Sequence, residues 1–414
     1  MTDATAVSGA RIMAHAEALA RCSEQPDGLT RIFLSAEHRA ANALALEWMR
    51  EAGMAARVDA MGNAVGRYEG DRPALPCLML GSHLDTVRDA GRYDGMLGVI
   101  TAIECVRTLH ARGKRLPFAI EVVGFGDEEG VRFGATLLGS RAIAGTLAPD
   151  ALDLADRDGI TLRQAIADFG LDPAHIGDAA RRRDEILAYA ELHIEQGPVL
   201  EAEGLPVGVV TAINGATRLA VTIDGMAGHA GTVPMNLRQD ALTAAAECVL
   251  AIEARAGSVS ELVGTVGRLE ALPGAVNVIP GKVRFTIDIR SPRDADRIAA
   301  VKDVSETMRS ICARRGVRAE VAKNHEGKTA PCAPWLMEQC AQAIAGEGLA
   351  VRRLPSGAGH DGMAMIDVAD IGMVFVRCKG GISHNPAESI TVEDAEIGAR
   401  VLARFIEAFR PRVR

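Results

Sequence analysis

Gly81-Ser82-His83-Leu84-Asp85-Thr86-Val87, followed by Tyr93-Asp94-Gly95, is the stretch whose reading decides the fold. The apolar run Cys77-Leu78-Met79-Leu80 before it predicts a buried strand that delivers a histidine and two acids to its carboxyl end. In an open α/β sheet that end is where ligands bind, and loops rather than packing choose the side chains there. Next, residues 96–110 carry Leu97, Ile100, Ile103, Val106 and Leu109 at helical spacing, and Phe118-Ala119-Ile120-Glu121-Val122-Val123 predicts a second core strand. It ends in Gly124-Phe125-Gly126-Asp127-Glu128-Glu129-Gly130. Strand, helix and strand with short connections predict a parallel or mixed sheet covered by helices.

On the amino-terminal side, residues 35–53 read as a surface helix on that sheet, with Glu37 in the first turn and Gly53 as its stop. Residues 152–183 are charged and helical in pattern, with no clear place. Residues 189–194 predict another strand, running into the polar loop Glu195-Gln196-Gly197-Pro198. Near Gly215 the pattern changes. Residues 217–225 alternate, with Leu219, Val221 and Ile223 on one face; 236–256 read as a helix and 262–269 as a strand. Residues 282–290 alternate again, 294–315 read as a helix stopped by Gly316, and 317–322 as a last strand. This β-α-β-β-α-β order is the ferredoxin-like, split βαβ unit. From Ala333 the α/β pattern resumes with a helix at 335–345, a loop at 356–362, a strand at 371–376, a loop at 380–386 and a closing helix at 391–409. The expected architecture is therefore a discontinuous α/β domain, residues 1–214 and 332–414, interrupted by an α+β domain of residues 215–331.

Composition bounds the function. The chain has 414 residues, 48% hydrophobic and 24% charged, enough for a sizeable core and two domains. A net charge of -8 argues against a surface built to neutralise phosphates, so nucleic acid is not an expected partner. No apolar run is long enough to span a bilayer and the first residues have no signal-peptide pattern, from which a cytoplasmic location and no membrane association are expected. The eight cysteines are scattered, with no C-x-x-C pair, and read as reduced thiols.

Only ten histidines occur, yet His83, His193, His229, His360 and His384 each stand beside glycines or acids where strands and loops are expected. One such histidine is more often a hydrogen-bonded structural residue than a ligand; five in one chain point to a metal site. With imidazole and carboxylate donors, zinc, manganese, cobalt and nickel all fit, zinc being the commonest in hydrolytic sites. Two ions would need a carboxylate bridge, and Asp94 could supply it, although Asp-Gly before a helix is also an ordinary turn. In the pair Glu128-Glu129 one side chain could coordinate metal while the other holds a water as general base; acidic pairs before a helix are otherwise commonly solvated charges. Asp85, two residues beyond His83, suits the orientation of its imidazole. Arg290, at the end of an alternating strand, could clamp a carboxylate or be a surface arginine. His229 could equally be a plain loop histidine.

Taken in order, Gly-Ser-His83-Leu-Asp85-Thr-Val, Asp94-Gly95, Gly-Asp-Glu128-Glu129-Gly, His193-Ile-Glu-Gln196-Gly-Pro, Gly-His229-Ala-Gly-Thr and Ser-His384-Asn-Pro resemble the M20 metallopeptidase-related amidohydrolases. More narrowly they resemble the hydantoinase/carbamoylase branch, with its N-carbamoyl-L-amino acid hydrolases, allantoate amidohydrolases and β-ureidopropionases. The resemblance implies a Zn-exopeptidase-like catalytic domain, a mixed sheet flanked by helices, with the inserted ferredoxin-like domain serving dimerisation and as a lid. It implies two divalent ions held by His83, Asp94, Glu129, His193 and His384, with Asp94 bridging and Glu128 as base. His229 would reach the active site of the partner subunit in a homodimer and stabilise the oxyanion. Gln196, Asn277 and Arg290 would hold the amide and carboxylate of the substrate, with Gly357, Ala358 and His360 lining the same pocket. The reaction implied is cleavage of the ureido C–N bond of a small carboxylate-bearing substrate, an N-carbamoyl-L-amino acid or allantoate, the motif spacings resembling the bacterial allantoate subgroup. The rival readings are an M20-type dipeptidase or aminoacylase and a catalytically silent small-molecule-binding relative.

Overall fold

A computed structural model describes residues 5–412. The chain divides into two compact units, Met1–Thr211 with Pro331–Arg414, and Ala212–Ala330. In the first unit the strands are β1 (Ala55–Val58), β2 (Ala64–Tyr68), β3 (Cys77–His83), β4 (Ala119–Phe125), β5 (Ile186–Ile194) and β6 (Val207–Ile213). The second unit contributes β7 (Gly215–Asp224), β8 (Gly228–His229), β9 (Val263–Thr265), β10 (Leu269–Leu272), β11 (Val278–Ile279), β12 (Lys282–Ser291) and β13 (Arg318–Gly327). The chain returns through β14 (Ala330–Pro331), β15 (Arg353–Ser356) and β16 (Ile371–Val376).

The large sheet has the order β1-β2-β4-β3-β5-β16-β6-β14, with β15 also paired to β6. Its centre, β4-β3-β5-β16, is parallel; β2 and β6 run against it, and β1, antiparallel to β2, runs with it. The sheet is thus mixed, as expected, and the parallel register brings His83 beside Phe125 and His193 beside Phe375. All four central strands therefore discharge their loops at one edge.

Alternation separates the two faces. Leu78, Leu80, Ile120, Val122, Ala188, Ala190, Leu192, Val374 and Val376 enter a large apolar core with the helices at Gly9–Ala20, Ala36–Glu51, Met96–Ala111, Pro334–Gly346 and Val392–Ala408. The opposite parity carries Glu121, Tyr189, Glu191 and His193, all buried. A smaller apolar cluster joins Phe33, Leu34 and Met61 to Phe133, Leu138, Leu162, Ile166 and Phe169 from the loops and short helices of residues 133–179. The stretch 152–183 is accordingly corrected from a helical region to 3-10 turns and one short helix, Leu162–Asp168. Most of its charged residues face solvent, and Leu162, Ala165, Ile166, Phe169 and Ala179 anchor it.

In the second unit β7, β10, β12 and β13 form an antiparallel sheet of order β10-β12-β7-β13, with β9 also on β12. The helices Ala241–Gly257 and Asp294–Arg314 follow β7 and β12. In sequence terms the strand order is that of the ferredoxin-like unit. Leu219, Val221, Ile223, Val283, Phe285, Ile287 and Ile289 face these helices, as the alternation required. Two details differ from expectation. The helix expected from Asn236 begins at Ala241, because the Asp240 carboxylate caps it by accepting from the N–H groups of Leu242 and Thr243. The strand expected at 262–269 is shorter, β9, and a second strand, β10, begins only at Leu269; the two pair with different parts of β12.

Candidate metal centre

Four strand ends of the first unit supply the site. At the end of β3, the His83 Nδ1 lies 2.9 Å from the backbone oxygen of Asp85, and at the end of β5 the His193 Nδ1 lies 2.8 Å from that of Ile194. Since Nδ1–H donates in both rings, Nε2 carries the lone pair; the N–H of Gly95 reaches His193 Nε2 at 3.2 Å in agreement. Both Nε2 atoms face one oxygen of Asp94, Oδ1, at 3.5 Å from His83 and 3.1 Å from His193. The other oxygen, Oδ2, lies 3.1 Å from His384 Nε2, which is itself 3.4 Å from Glu129 Oε1. Donor atoms of His83, Asp94 and His193 fall within 4.8 Å of one another, as do those of Asp94, Glu129 and His384, and those of His83, Glu128 and Glu129.

Asp94 can stand between the histidines because Gly95 follows it. Gly95 has φ +74, and a Cβ there would lie 2.5 Å from the His83 ring. The Asp-Gly turn is thus demanded twice, by backbone conformation and by the imidazole it must pass.

The electrostatics describe a cluster that calls for cations. Burial alone would raise the Asp94 carboxyl, but hydrogen bonds with His193, His384 and His83 outweigh it and hold Asp94 well below the usual range. Burial would lower His83, and the hydrogen bond to Asp94 with the charges of Glu128 and Asp85 reverses this, raising it well above 6.5. His193 and His384 are raised by the same aspartate. Burial, reinforced by Asp94, pushes Glu129 up to about 7. Burial also raises Glu128 well above the ordinary glutamate value, opposed by His83 and reinforced by Glu129, Asp361 and Asp85. Three imidazoles and at least three carboxylates converge, and the protons that otherwise bridge the imidazoles to Asp94 stand where a divalent ion can replace them, so the donor set fits divalent metal ions.

Asp85 behaves differently from its expected part. Its carboxylate lies 3.9 Å from His83 Nδ1, and the backbone oxygen makes the closer contact. The carboxylate instead accepts from the N–H of Glu128 at 3.1 Å and that of Glu129 at 3.3 Å. It aligns the glutamate pair. Gln196, at φ +55, donates from Nε2 to Asp94 Oδ2 at 3.0 Å, and its Oε1 is buried without a partner. His360 is buried edge-on to the His193 ring, 4.4 Å between centroids, with Nε2 2.7 Å from Ser356 Oγ and Nδ1 unpartnered. Gly357 is exposed and Ala358 half-buried on the same loop; a Cβ on the next residue, Gly359, would come 3.3 Å from Glu128 Oε1.

The remaining candidates belong to the second unit. β8 and β11 pair so that His229 stands opposite Val278, and the N–H of Ala230 donates to the Asn277 oxygen at 3.0 Å. His229 and Asn277 are thus neighbours, both exposed. His229 Nδ1 accepts from the N–H of Gly231, leaving Nε2–H as a free donor in the neutral ring. Arg290 is half-buried and makes two parallel bonds, each 2.9 Å, to Asp288 of its own strand.

Sequence reading missed Glu191 and Asp361. Glu191 accepts from Ser82 Oγ and Tyr189 OH, both at 2.8 Å, and lies within ligand reach of His193 and His360. The signal was present in β5, where Tyr189, Glu191 and His193 share one face of an otherwise apolar strand. Asp361 is fully buried with neither carboxylate oxygen hydrogen-bonded, and burial next to Glu191 raises it well above the ordinary value.

Fold and donor set together are those of an α/β protein able to hold divalent metal ions. The profile of peptidase family M20/M25/M40 matches residues 79–408, and the chain belongs to that family. It is 43% identical over 397 residues to an N-carbamoyl-L-amino acid amidohydrolase of Geobacillus stearothermophilus, covering 96% of this chain and 97% of the relative. It is 39% identical over 421 residues to an allantoate deiminase of Arabidopsis thaliana, covering 94% and 80%. A crystal structure of a hydantoinase/carbamoylase family amidase from Burkholderia multivorans superposes with a TM-score of 0.93 at 34% identity, covering 99% of this chain and 100% of that one. Among the described residues no helix is long and apolar enough to cross a membrane.

Proposed function

We propose that the protein hydrolyses the ureido (carbamoyl) C–N bond of a small carboxylate-bearing substrate, an N-carbamoyl-L-amino acid or allantoate. The observation that carries this reading is the convergence of His83, His193 and His384 on the two oxygens of Asp94, beside a glutamate raised by burial. The relatives' names supply the bond type, and their identities of 43% and 39% weigh the two substrate groups almost equally.

One ion is assigned to His83, Asp94 and His193 and a second to Asp94, Glu129 and His384, with zinc as first choice and manganese, cobalt or nickel compatible with the donors. Divalent ions bound there supply Lewis acidity and bring the pKa of water near neutrality. Glu128 takes the proton of the attacking water and delivers it to the leaving nitrogen; a carboxyl raised by burial suits both halves of that shuttle. Asp85 holds the backbone of Glu128 so that the carboxylate stays in place. Gln196 offers its unpartnered Oε1 to a substrate N–H. Arg290 grips the substrate carboxylate, exchanging part of its pairing with Asp288 for it, and Asn277 holds the amide. Gly357, Ala358 and His360 line the pocket on the first unit. The Nε2–H of His229 stabilises the oxyanion, acting across a homodimer in which residues 215–331 serve as dimerisation and lid domain. Most of the large apolar side chains exposed among the described residues belong to this unit, among them Met226, Met235, Leu237, Leu250 and Val276, which supports an interface there.

The test is a side-by-side panel of N-carbamoyl-L-amino acids, allantoate, β-ureidopropionate, N-acyl amino acids and dipeptides with the metal-reconstituted enzyme. Hydrolysis of a ureido substrate is expected. Cleavage of dipeptides or N-acyl amides alone would replace this reading by the dipeptidase or aminoacylase one.

A further inference from the structure

The segment behind His384 does more than carry that imidazole. Glu388 is only 3% exposed. Its Oε1 accepts from the N–H groups of Tyr93 at 2.8 Å and Asp94 at 3.1 Å, and its Oε2 accepts from Ser383 Oγ at 2.9 Å. A turn places it there: the N–H of Glu388 donates to the Asn385 oxygen at 3.0 Å and that of Ala387 to Asn385 Oδ1 at 2.9 Å. The fit against the neighbouring loop is close, since a Cβ on Gly91 would lie 2.2 Å from the Glu388 carboxylate carbon. One buried carboxylate therefore fastens the backbone of Asp94 to the residue just before His384. His384 has φ +53 and a side chain 51% exposed, so packing alone does not fix it.

The hydroxyl between these groups adds a second constraint. Ser383 Oγ lies 2.9 Å from Glu388 Oε2 and 3.2 Å from Asp94 Oδ2, and it accepts from Gln196 Nε2 at 3.1 Å. A hydroxyl has one proton, so Ser383 can donate to one of the two carboxylates at a time. If the proton went to Asp94 Oδ2, it would occupy an electron pair facing His384 and Glu129. Glu388, offering the shorter bond, draws it away.

We infer that Glu388 is a positioning residue of the metal centre: it ties the Asp94 loop to the His384 loop and, by taking the Ser383 proton, leaves the electron pair of Asp94 Oδ2 that Gln196 does not occupy for the ion shared with Glu129 and His384. This rests on the ligand assignment proposed above, and nothing in it requires Glu388 to touch an ion or the substrate.

The substitution Glu388→Gln is almost isosteric. Its amide oxygen can still accept from Tyr93 and Asp94, but an NH₂ group now faces Ser383 and turns the hydroxyl proton onto Asp94 Oδ2. Metal-free full-length protein titrated calorimetrically with Mn²⁺ is expected to bind two ions in the wild type. In Glu388→Gln one ion, that of Asp94, Glu129 and His384, should lose about 10-fold or more in affinity, the range for residues that orient metal ligands. The other ion and the melting temperature of the metal-free protein should stay near wild type. Adding Ser383→Ala to Glu388→Gln removes the misdirected proton and should restore most of the lost affinity. Glu388→Ala, which leaves Ser383 no carboxylate except Asp94, should weaken the same ion. Wild-type affinity for both ions in Glu388→Gln, or no recovery in the double variant, would overturn the inference. So would equal weakening of both ions with a lower metal-free melting temperature, the mark of a merely structural role. A wild-type protein that binds fewer than two ions would instead bring down the two-ion assignment on which the inference stands.

Discussion

The candidate residues of the two units are built in opposite ways. In the first unit His83, Asp94, Glu128 and His193 are buried, and each has its ordinary acidity displaced by the others. In the second unit His229 and Asn277 are exposed, and Arg290 is bound to an aspartate of its own strand. The fold of the first unit has already removed water from its candidate groups, an arrangement whose cost bound cations would relieve. The candidate groups of the second unit carry no such cost, so under the proposed reading the chemistry is preorganised in the first unit and recognition is left adjustable in the second.

Five experiments would break or sharpen that contrast. Chelation should abolish turnover, and any of Zn²⁺, Mn²⁺, Co²⁺ or Ni²⁺ that fits should restore it. The affinity for the ion should fall as the pH is lowered from about 8 to about 6, because donors raised above 6.5, and Glu129 at about 7, then hold protons the metal must displace. Titration with proton-release calorimetry reads this directly, and a pH-independent affinity would contradict the ligand set. Glu128→Gln should lower kcat by about 10²–10⁴-fold with metal content unchanged, the usual share of a general acid–base group; full turnover would remove Glu128 from the reaction. His229→Asn should lower kcat by about 10²–10³-fold with little effect on melting temperature, as for loss of one oxyanion donor. Arg290→Lys is expected to raise KM for carboxylate substrates by about 10-fold, because a lysine cannot reproduce the bidentate bond. An unchanged KM with reduced stability would mean that the pairing with Asp288 is the whole role of Arg290.

Much of this was legible in the sequence, for physical reasons. His83 and His193 end apolar strands, and a hydrophobic run that stops at a histidine between glycine and an acid marks a sheet edge. The alternation in 217–225 and 282–290 fixed which faces of β7 and β12 are buried, and Leu219, Val221, Phe285 and Ile287 lie there. What escaped were relations across the sheet. That Glu191 belongs beside His193 and His360, that Asp85 serves the Glu128 backbone rather than the His83 ring, and that Glu388 reaches Asp94 all depend on which strand ends are neighbours. The helix at Gly9–Ala20 and the antiparallel pair β1–β2 carry apolar patterns too short or too mixed to stand out, although Ile12, Ala16 and Leu19 are fully in the core. The break between β9 and β10 was hidden because Leu262, Val263, Val266 and Leu269 are apolar enough to read as one strand.

The position of β16 has a consequence for synthesis. It fills the slot between β5 and β6, yet it is made after the whole of residues 212–330. A nascent chain that has just completed β13 possesses every strand of its ferredoxin-like sheet, while β5 and β6 still present unpaired edges, Ile194 and Val207 among them. Such edges recruit strands from other chains. Production of this protein should therefore be more sensitive to pauses in translation between residues 331 and 376 than to pauses elsewhere, and chaperones that shield sheet edges should act during that interval.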